Sequence, residues 1–269
     1  MILFGLISKY EMMMKQFSAV LIFLILVLAS CQSEKKEEKP SKSKELTAQT
    51  IVDKAIEFSG TDAYKNSKIS FDFRDFHLES EATCNGFKFS RKKNDTLDVL
   101  HNSDFKRSVS GNDIKVADST AFKFSESINS VFYFMQLPMR LNDGAVIKEL
   151  KESQTFGDQS YHVVEVKFKK EGGGVDHEDV YMYWFNKDNF AMDYLAYKFK
   201  VNDGGVRFRA AKNPQLINDV RFLDYDNYRP ESKDTSLESL LKLYSEDKLI
   251  KVSEILKTNI EVNRLKLDC

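Results

Sequence analysis

The chain has 269 residues, with 40 lysines and arginines against 41 aspartates and glutamates. That balance leaves no strong field to draw nucleic acid or an anionic surface. The length is ample for a real core, and three cysteines without a CxxC pair exclude a zinc ribbon or thioredoxin-type redox motif.

An apolar run of about twelve residues, 17–28, opens the chain. A membrane-crossing helix needs roughly 20 apolar residues and an export signal roughly 7–15. The run therefore reads as a signal rather than as a signal-anchor helix. Lys15 and the start-like Met12-Met13-Met14 supply its basic front. The run closes on Leu28-Ala29-Ser30-Cys31, which resembles the lipobox of bacterial lipoproteins. The resemblance implies cleavage before Cys31, acylation of Cys31 and palmitate in the mature protein. Residues 1–30 are then a signal peptide and 31–45 a lipidated cysteine with its tether. The stretch "SEKKEEKPSKSKE" has no apolar residue with which to offset ordering.

Residues 46–269 read as one domain. Thr47 caps a helix carrying Ile51, Val52, Ala55 and Ile56 on one face, and Gly60 ends it. From Lys68 the period changes to two, with Ile69, Phe71 and Phe73 alternating against polar residues. Asn85-Gly86 marks a hairpin, and three further short strands follow. "DSTAFKFSESINSVFYFMQLP" breaks the pattern. Asp118 is its expected N-cap and Pro138 its stop, and its apolar sides predict a helix packed deep against a sheet. Six strands follow at turn-separated spacing, then a helix at "TSLESLLKLYSED" and one last strand at "KVSEILKTNIEV".

Strands do not alternate with helices, which disfavours a parallel sheet. The expected fold is α+β: a long curved antiparallel sheet, an open half-barrel, with a few helices covering its concave face. Such a shape encloses an apolar hollow. Phe132 and Met135 on the helix, with Tyr181, Tyr183 and Phe185 on a strand, are its candidate ligand-binding residues. A strand buried on both faces is the plainer reading of residues 181–185.

"SVFYFMQLPMRLNDGAV" and "EDVYMYWFNKDNFAMDYLAYKFK", with the signal and "GGVRFRAAKNPQLINDVRFLDY", resemble an uncharacterised family of exported lipoproteins of Bacteroidota-type bacteria. That family's architecture is similar to the LolA/LolB-like lipoprotein-carrier half-barrels, which shield acyl chains. The resemblance implies an envelope protein anchored to the outer membrane through its N-terminal lipid, on the periplasmic side or the surface. Its partner is then a hydrophobic ligand or another envelope protein.

The densest polar cluster, "EGGGVDHEDV", offers Asp176, His177 and Asp179 as metal ligands. Neighbouring strand residues point to opposite faces, and no HExxH or calcium-loop spacing is present. A solvated hairpin loop is the plainer reading, and no cofactor motif is found. Arg207, Arg209 and Arg221 make either an outer charged ladder with Asp193 and Asp224, the simpler view, or an anion-binding patch at the mouth of the hollow. Cys84 and Cys269 are open to a disulfide or to two free thiols. The leading function is a non-enzymatic binding module. The alternatives are a metal-dependent envelope hydrolase around His177 and a structural or partner-docking lipoprotein.

Overall fold

The computed structural model describes residues 46–174, 177–200 and 203–269. Cys31, its signal and its tether lie outside the described residues. Helix α1 is Ala48–Ser59. Its start follows from Thr47, whose Oγ1 accepts a hydrogen bond from the Thr50 backbone N–H at 3.1 Å. Its end follows from Gly60 at φ 63°, where an added Cβ would lie 1.9 Å from the Asp219 carbonyl oxygen. Ile51, Val52, Ala55 and Ile56 are buried on one face. Each fully buried branched side chain there contributes about 1.5–3 kcal/mol.

Six strands follow as a meander: β1 (Ser67–Phe73), β2 (Phe76–Thr83), β3 (Gly86–Lys93), β4 (Thr96–His101), β5 (Asp104–Val109) and β6 (Asn112–Ile114). The chain then crosses on α2, Asp118–Met135. Its N-cap is Ala117 without a side-chain cap, so Asp118 belongs to the first turn instead. There its charge complements the helix dipole. A second meander comprises β7 (Val146–Phe156), β8 (Gln159–Phe168), β9 (Val180–Asn186), β10 (Met192–Phe199), β11 (Gly205–Ile217) and β12 (Val220–Arg229). After a short helix, α3 (Leu240–Ser245), come β13 (Ile250–Ile255) and β14 (Thr258–Arg264).

The antiparallel, open architecture expected from the sequence is present, but as two seven-stranded sheets. Their orders are β14-β1-β2-β3-β4-β5-β6 and β13-β12-β11-β10-β9-β8-β7. The segment expected to be one last strand is two. β13 pairs with β12, while β14 pairs with β1. Leu256 and Lys257 thus hand the chain from one sheet to the other. Among the described strands the edges are β14 and β6 in one sheet and β13 and β7 in the other. β6 is three exposed residues, and β7 carries Lys148, Glu149, Lys151 and Glu152, features that discourage edge pairing.

Helix α2 lies between the sheets. Phe132 is fully buried against the first sheet, stacked 4.2 Å from Phe89 and edge-on to Phe71 at 6.0 Å. The adjacent Tyr133 and Phe134 turn to the second sheet, contacting Tyr181 and Tyr197. That sheet is buried on both faces. One face carries Val164, Tyr183, Phe185 and Leu195 under α1 and α2. The other carries Val163, Trp184 and Phe208 under Leu237, Leu240 and Leu241. So α3 covers the face opposite the other helices, because residues 181–185 are apolar at every position.

Cys84 and Cys269 form a disulfide, with Cα atoms 5.6 Å apart and a sequence separation of 185. It ties the end of the chain, just past β14, to the β2–β3 turn. No helix among the described residues is long and apolar enough to cross a membrane.

Candidate functional site

The space between α2 and the second sheet is partly open. A cavity of about 310 Å³ lies there, within the range of small-molecule sites. Helix α2 supplies Ser127, Ser130, Val131, Phe134 and Met135, and Leu137 and Pro138 follow from its end. Phe71 and Phe73 of β1 form another wall. Met192, Arg209, Arg221, Phe222, Tyr225 and Asn227 come from β10, β11 and β12, Ser253 and Ile255 from β13, and Lys257 from the crossing segment. The chain crossover at Leu256-Lys257 therefore closes one side of the cavity.

Its charged lining is Arg74, Arg209, Arg221 and Lys257. Arg74 is exposed and stacks on Phe73 at 5.0 Å, which places it at the rim. Arg209 lies 3.8 Å over the Phe134 ring and donates to the Tyr197 hydroxyl at 3.0 Å. Arg221 lies 5.3 Å over Phe58 of α1. The Nε of each is buried without a hydrogen-bond partner, as is Oδ1 of Asn227. Lys257 is buried. It donates to the Leu223 carbonyl, and its Nζ lies 3.6 Å from Asp224 Oδ1. Burial pushes its ammonium down to about 8, with Asp224 opposing that fall and Arg209 adding to it.

A second cavity of about 330 Å³ lies against another side of α2, walled by Phe89, Tyr133, Arg140, Asp143, Phe168 and Tyr181 and by the Gly172–Gly174 loop. Its charges are mixed. Arg140 and Asp143 pair at 3.0 Å, and burial raises the Asp143 carboxyl against that pairing. Ser130 and Phe134 belong to both cavities.

The five ligand candidates divide. Met135 lines the first cavity and Tyr181 the second. Phe132, Tyr183 and Phe185 line neither. They are core residues, with Tyr183 donating to or accepting from the Tyr133 hydroxyl at 3.2 Å. Burial raises both phenols. Of the metal candidates, Asp176 lies outside the described residues. His177 Nδ1 is 3.2 Å from the Gly174 carbonyl oxygen, and Asp179 is buried at the start of β9. Among the described residues no group of three His, Cys, Asp or Glu side chains is placed to hold a metal.

The outer charged ladder preferred for Arg209 and Arg221 is not their position, because both line the first cavity. A ladder does exist, built instead from Lys212, Asp226, Lys251 and Glu254 across β11, β12 and β13. Lys257 and Arg74 carried no sequence signal. They reach the cavity through a chain crossover and a turn, neither of which periodicity reveals.

Residues 15–257 match the profile described as "Family of unknown function (DUF6503)". The chain belongs to DUF6503. None of the curated proteins matches this DUF6503 chain in sequence. Among solved structures it is similar to a DUF1329 family protein from Desulfovibrio piger, at 12% identity, covering 80% of this chain and 92% of that one with a TM-score of 0.45. It is also similar to a LolA superfamily protein from Nitrosomonas europaea, at 15% identity, covering 82% and 94% with a TM-score of 0.40.

Proposed function

We propose that this DUF6503 chain is a lipid-anchored envelope lipoprotein that acts as a non-enzymatic binding module and holds an apolar ligand between α2 and the sheets. The observation that carries this reading is the cavity of about 310 Å³ to which both sheets and the helix bring apolar side chains, Phe71, Phe73, Val131, Met135 and Met192 among them, beside a comparable polar lining. A core that needed only to be stable would close such a space, because interiors pack to crystal-like density. Met135 is the sequence-predicted residue that contributes to it.

The anchor is Cys31, with residues 1–30 a signal and 31–45 a tether, holding residues 46–269 at the outer membrane on its periplasmic side or at the surface. The Cys84–Cys269 disulfide supports export, since such bonds persist in oxidising compartments.

The test uses the mature protein with and without Val131→Trp, a change that fills the cavity from the helix side. Nile red binding and native mass spectrometry are the readouts. Wild type binds the probe or carries co-purified lipid, and the variant loses at least about tenfold in affinity, equivalent to roughly 1.4 kcal/mol. Equal binding by both, with the fold intact by circular dichroism, would sink the reading. For the anchor, labelled palmitate enters wild type and not Cys31→Ala, and incorporation into both would remove Cys31 from its role.

A further inference from the structure

The charges on the cavity wall are of one sign. Arg74, Arg209, Arg221 and Lys257 line it, with no aspartate or glutamate, in a chain whose acidic and basic residues balance at 41 and 40. Elsewhere the same chain handles half-buried arginines differently. Arg91 and Arg107 both bind Asp98, at 2.8 Å and 2.6 Å, and Arg140 pairs with Asp143. Arg209 and Arg221 have aromatic neighbours instead. Among the described residues neither is within ion-pair distance of a carboxylate, and that sets them apart, since the Nε of each is buried without an acceptor just as the Nε of Arg91 and Arg140 is. The nearby carboxylates are engaged elsewhere. Asp224 accepts from the Lys257 backbone N–H and from Asn213, and Asp193, which feels the charge of Arg221, is hydrogen-bonded with Tyr161.

A cation partly withdrawn from water without a counter-charge is unfavourable, and an entering anion relieves that cost. Both arginines line the cavity and both act on Tyr225. Arg209 stands opposite Asn227 in the β11–β12 register, and Tyr225 sits between Asn227 and Arg221 along β12. The Tyr225 phenol feels both guanidinium charges and itself lines the cavity. Around these polar groups the wall is Phe73, Val131, Met135, Leu137, Met192 and Ile255. Cationic forks beside an apolar surface match a molecule with a greasy body and an acidic end, because guanidinium geometry suits carboxylate and phosphate oxygens.

We propose that the ligand is a single-chain amphiphile with an anionic carboxylate or phosphate head, held by Arg209 and Arg221, with its chain against Val131, Met135 and Met192. This rests on the binding-module reading above and specifies its substrate class. Lys257 already has Asp224 and the Leu223 carbonyl as partners, so it shapes the wall, and Arg74 stands at the rim.

The experiment is calorimetric titration of the delipidated mature protein with dodecanoate, dodecyl phosphate, dodecanol, dodecyltrimethylammonium and inorganic phosphate. At least one anionic amphiphile binds about tenfold or more tighter than dodecanol, the scale of one charge-assisted hydrogen bond. Arg221→Gln, and separately Arg209→Gln, erase that preference while dodecanol affinity stays within about threefold. Two variants are used because Arg209 also braces Phe134. A preference that survives in every folded variant removes the two arginines from the site. Dodecanol or the cationic amphiphile binding as tightly as both anions overturns the head-group assignment and leaves the apolar cavity standing. Inorganic phosphate binding as tightly as dodecyl phosphate also overturns it, leaving a plain anion site. Failure of every amphiphile, dodecanol included, overturns both this inference and the function on which it rests.

Discussion

The Arg209 guanidinium of β11 lies 3.8 Å from the centroid of Phe134 on α2, and this contact joins the helix to the second sheet beside the cavity. Phe134 borders both cavities, so its position sets how far α2 stands off the strands. A partly desolvated cation–π pair is worth about 0.5–2 kcal/mol. A double-mutant cycle of Phe134→Leu and Arg209→Met in urea therefore gives a coupling of about 1 kcal/mol. Coupling indistinguishable from zero would show that apolar packing alone holds the helix.

Much of the frame around this contact was legible. Thr47 and Gly60 bound α1, and the alternation of Ile69, Phe71 and Phe73 marks β1. Alternation also puts Arg207 and Arg209 on one face of β11, yet it cannot say which face. Both faces of that sheet are buried, so neither is marked as inner by its apolarity. Phe132 and Met135 lie three positions apart, near one another on the helix, but Phe132 plugs the first sheet while Met135 borders open space. That difference depends on what stands opposite, which is non-local. The β13–β14 break was hidden because Leu256-Lys257 contains no glycine or proline to mark a turn. Only the pairing of each half with a different sheet reveals it.

The disulfide makes that crossover stable. Cys269 follows β14, the edge strand paired with β1, and the bond to Cys84 restrains the unfolded chain across a sequence separation of 185. Cross-links of this kind contribute about 2–5 kcal/mol. Cys269→Ser, or reductant added to wild type, lowers Tm by about 5–15 °C, at roughly 2–4 °C per kcal/mol for a domain of this size. Matched thermal melts by circular dichroism with and without reductant check this. Identical melts for wild type and variant would mean that the bond does not form in solution or does not constrain the unfolded chain.

Lys257 gives the protein a stability that depends on pH in an unusual direction. Burial lowers its ammonium from the ordinary 10.5 to about 8 in the folded chain, against the pull of Asp224. Between those two values the unfolded chain holds more protons than the folded one, so stability rises with pH. The contribution amounts to a gain of about 2 kcal/mol between pH 7 and pH 9.5. The buried tyrosines act in the opposite sense as pH nears the ordinary phenol value of 10, because burial keeps Tyr64, Tyr133 and Tyr225 protonated in the folded chain while the unfolded chain begins to lose those protons. Wild type and variant share that loss, so the difference between their curves isolates Lys257. In Lys257→Met the gain is absent, while the Asp224 carboxylate still accepts from Asn213 and from the backbone N–H of residue 257. Urea unfolding of both proteins at a series of pH values measures the difference directly. A wild-type curve parallel to that of the variant from pH 7 to pH 9.5 would show that Lys257 reaches solvent in the folded protein and does not form part of the cavity wall.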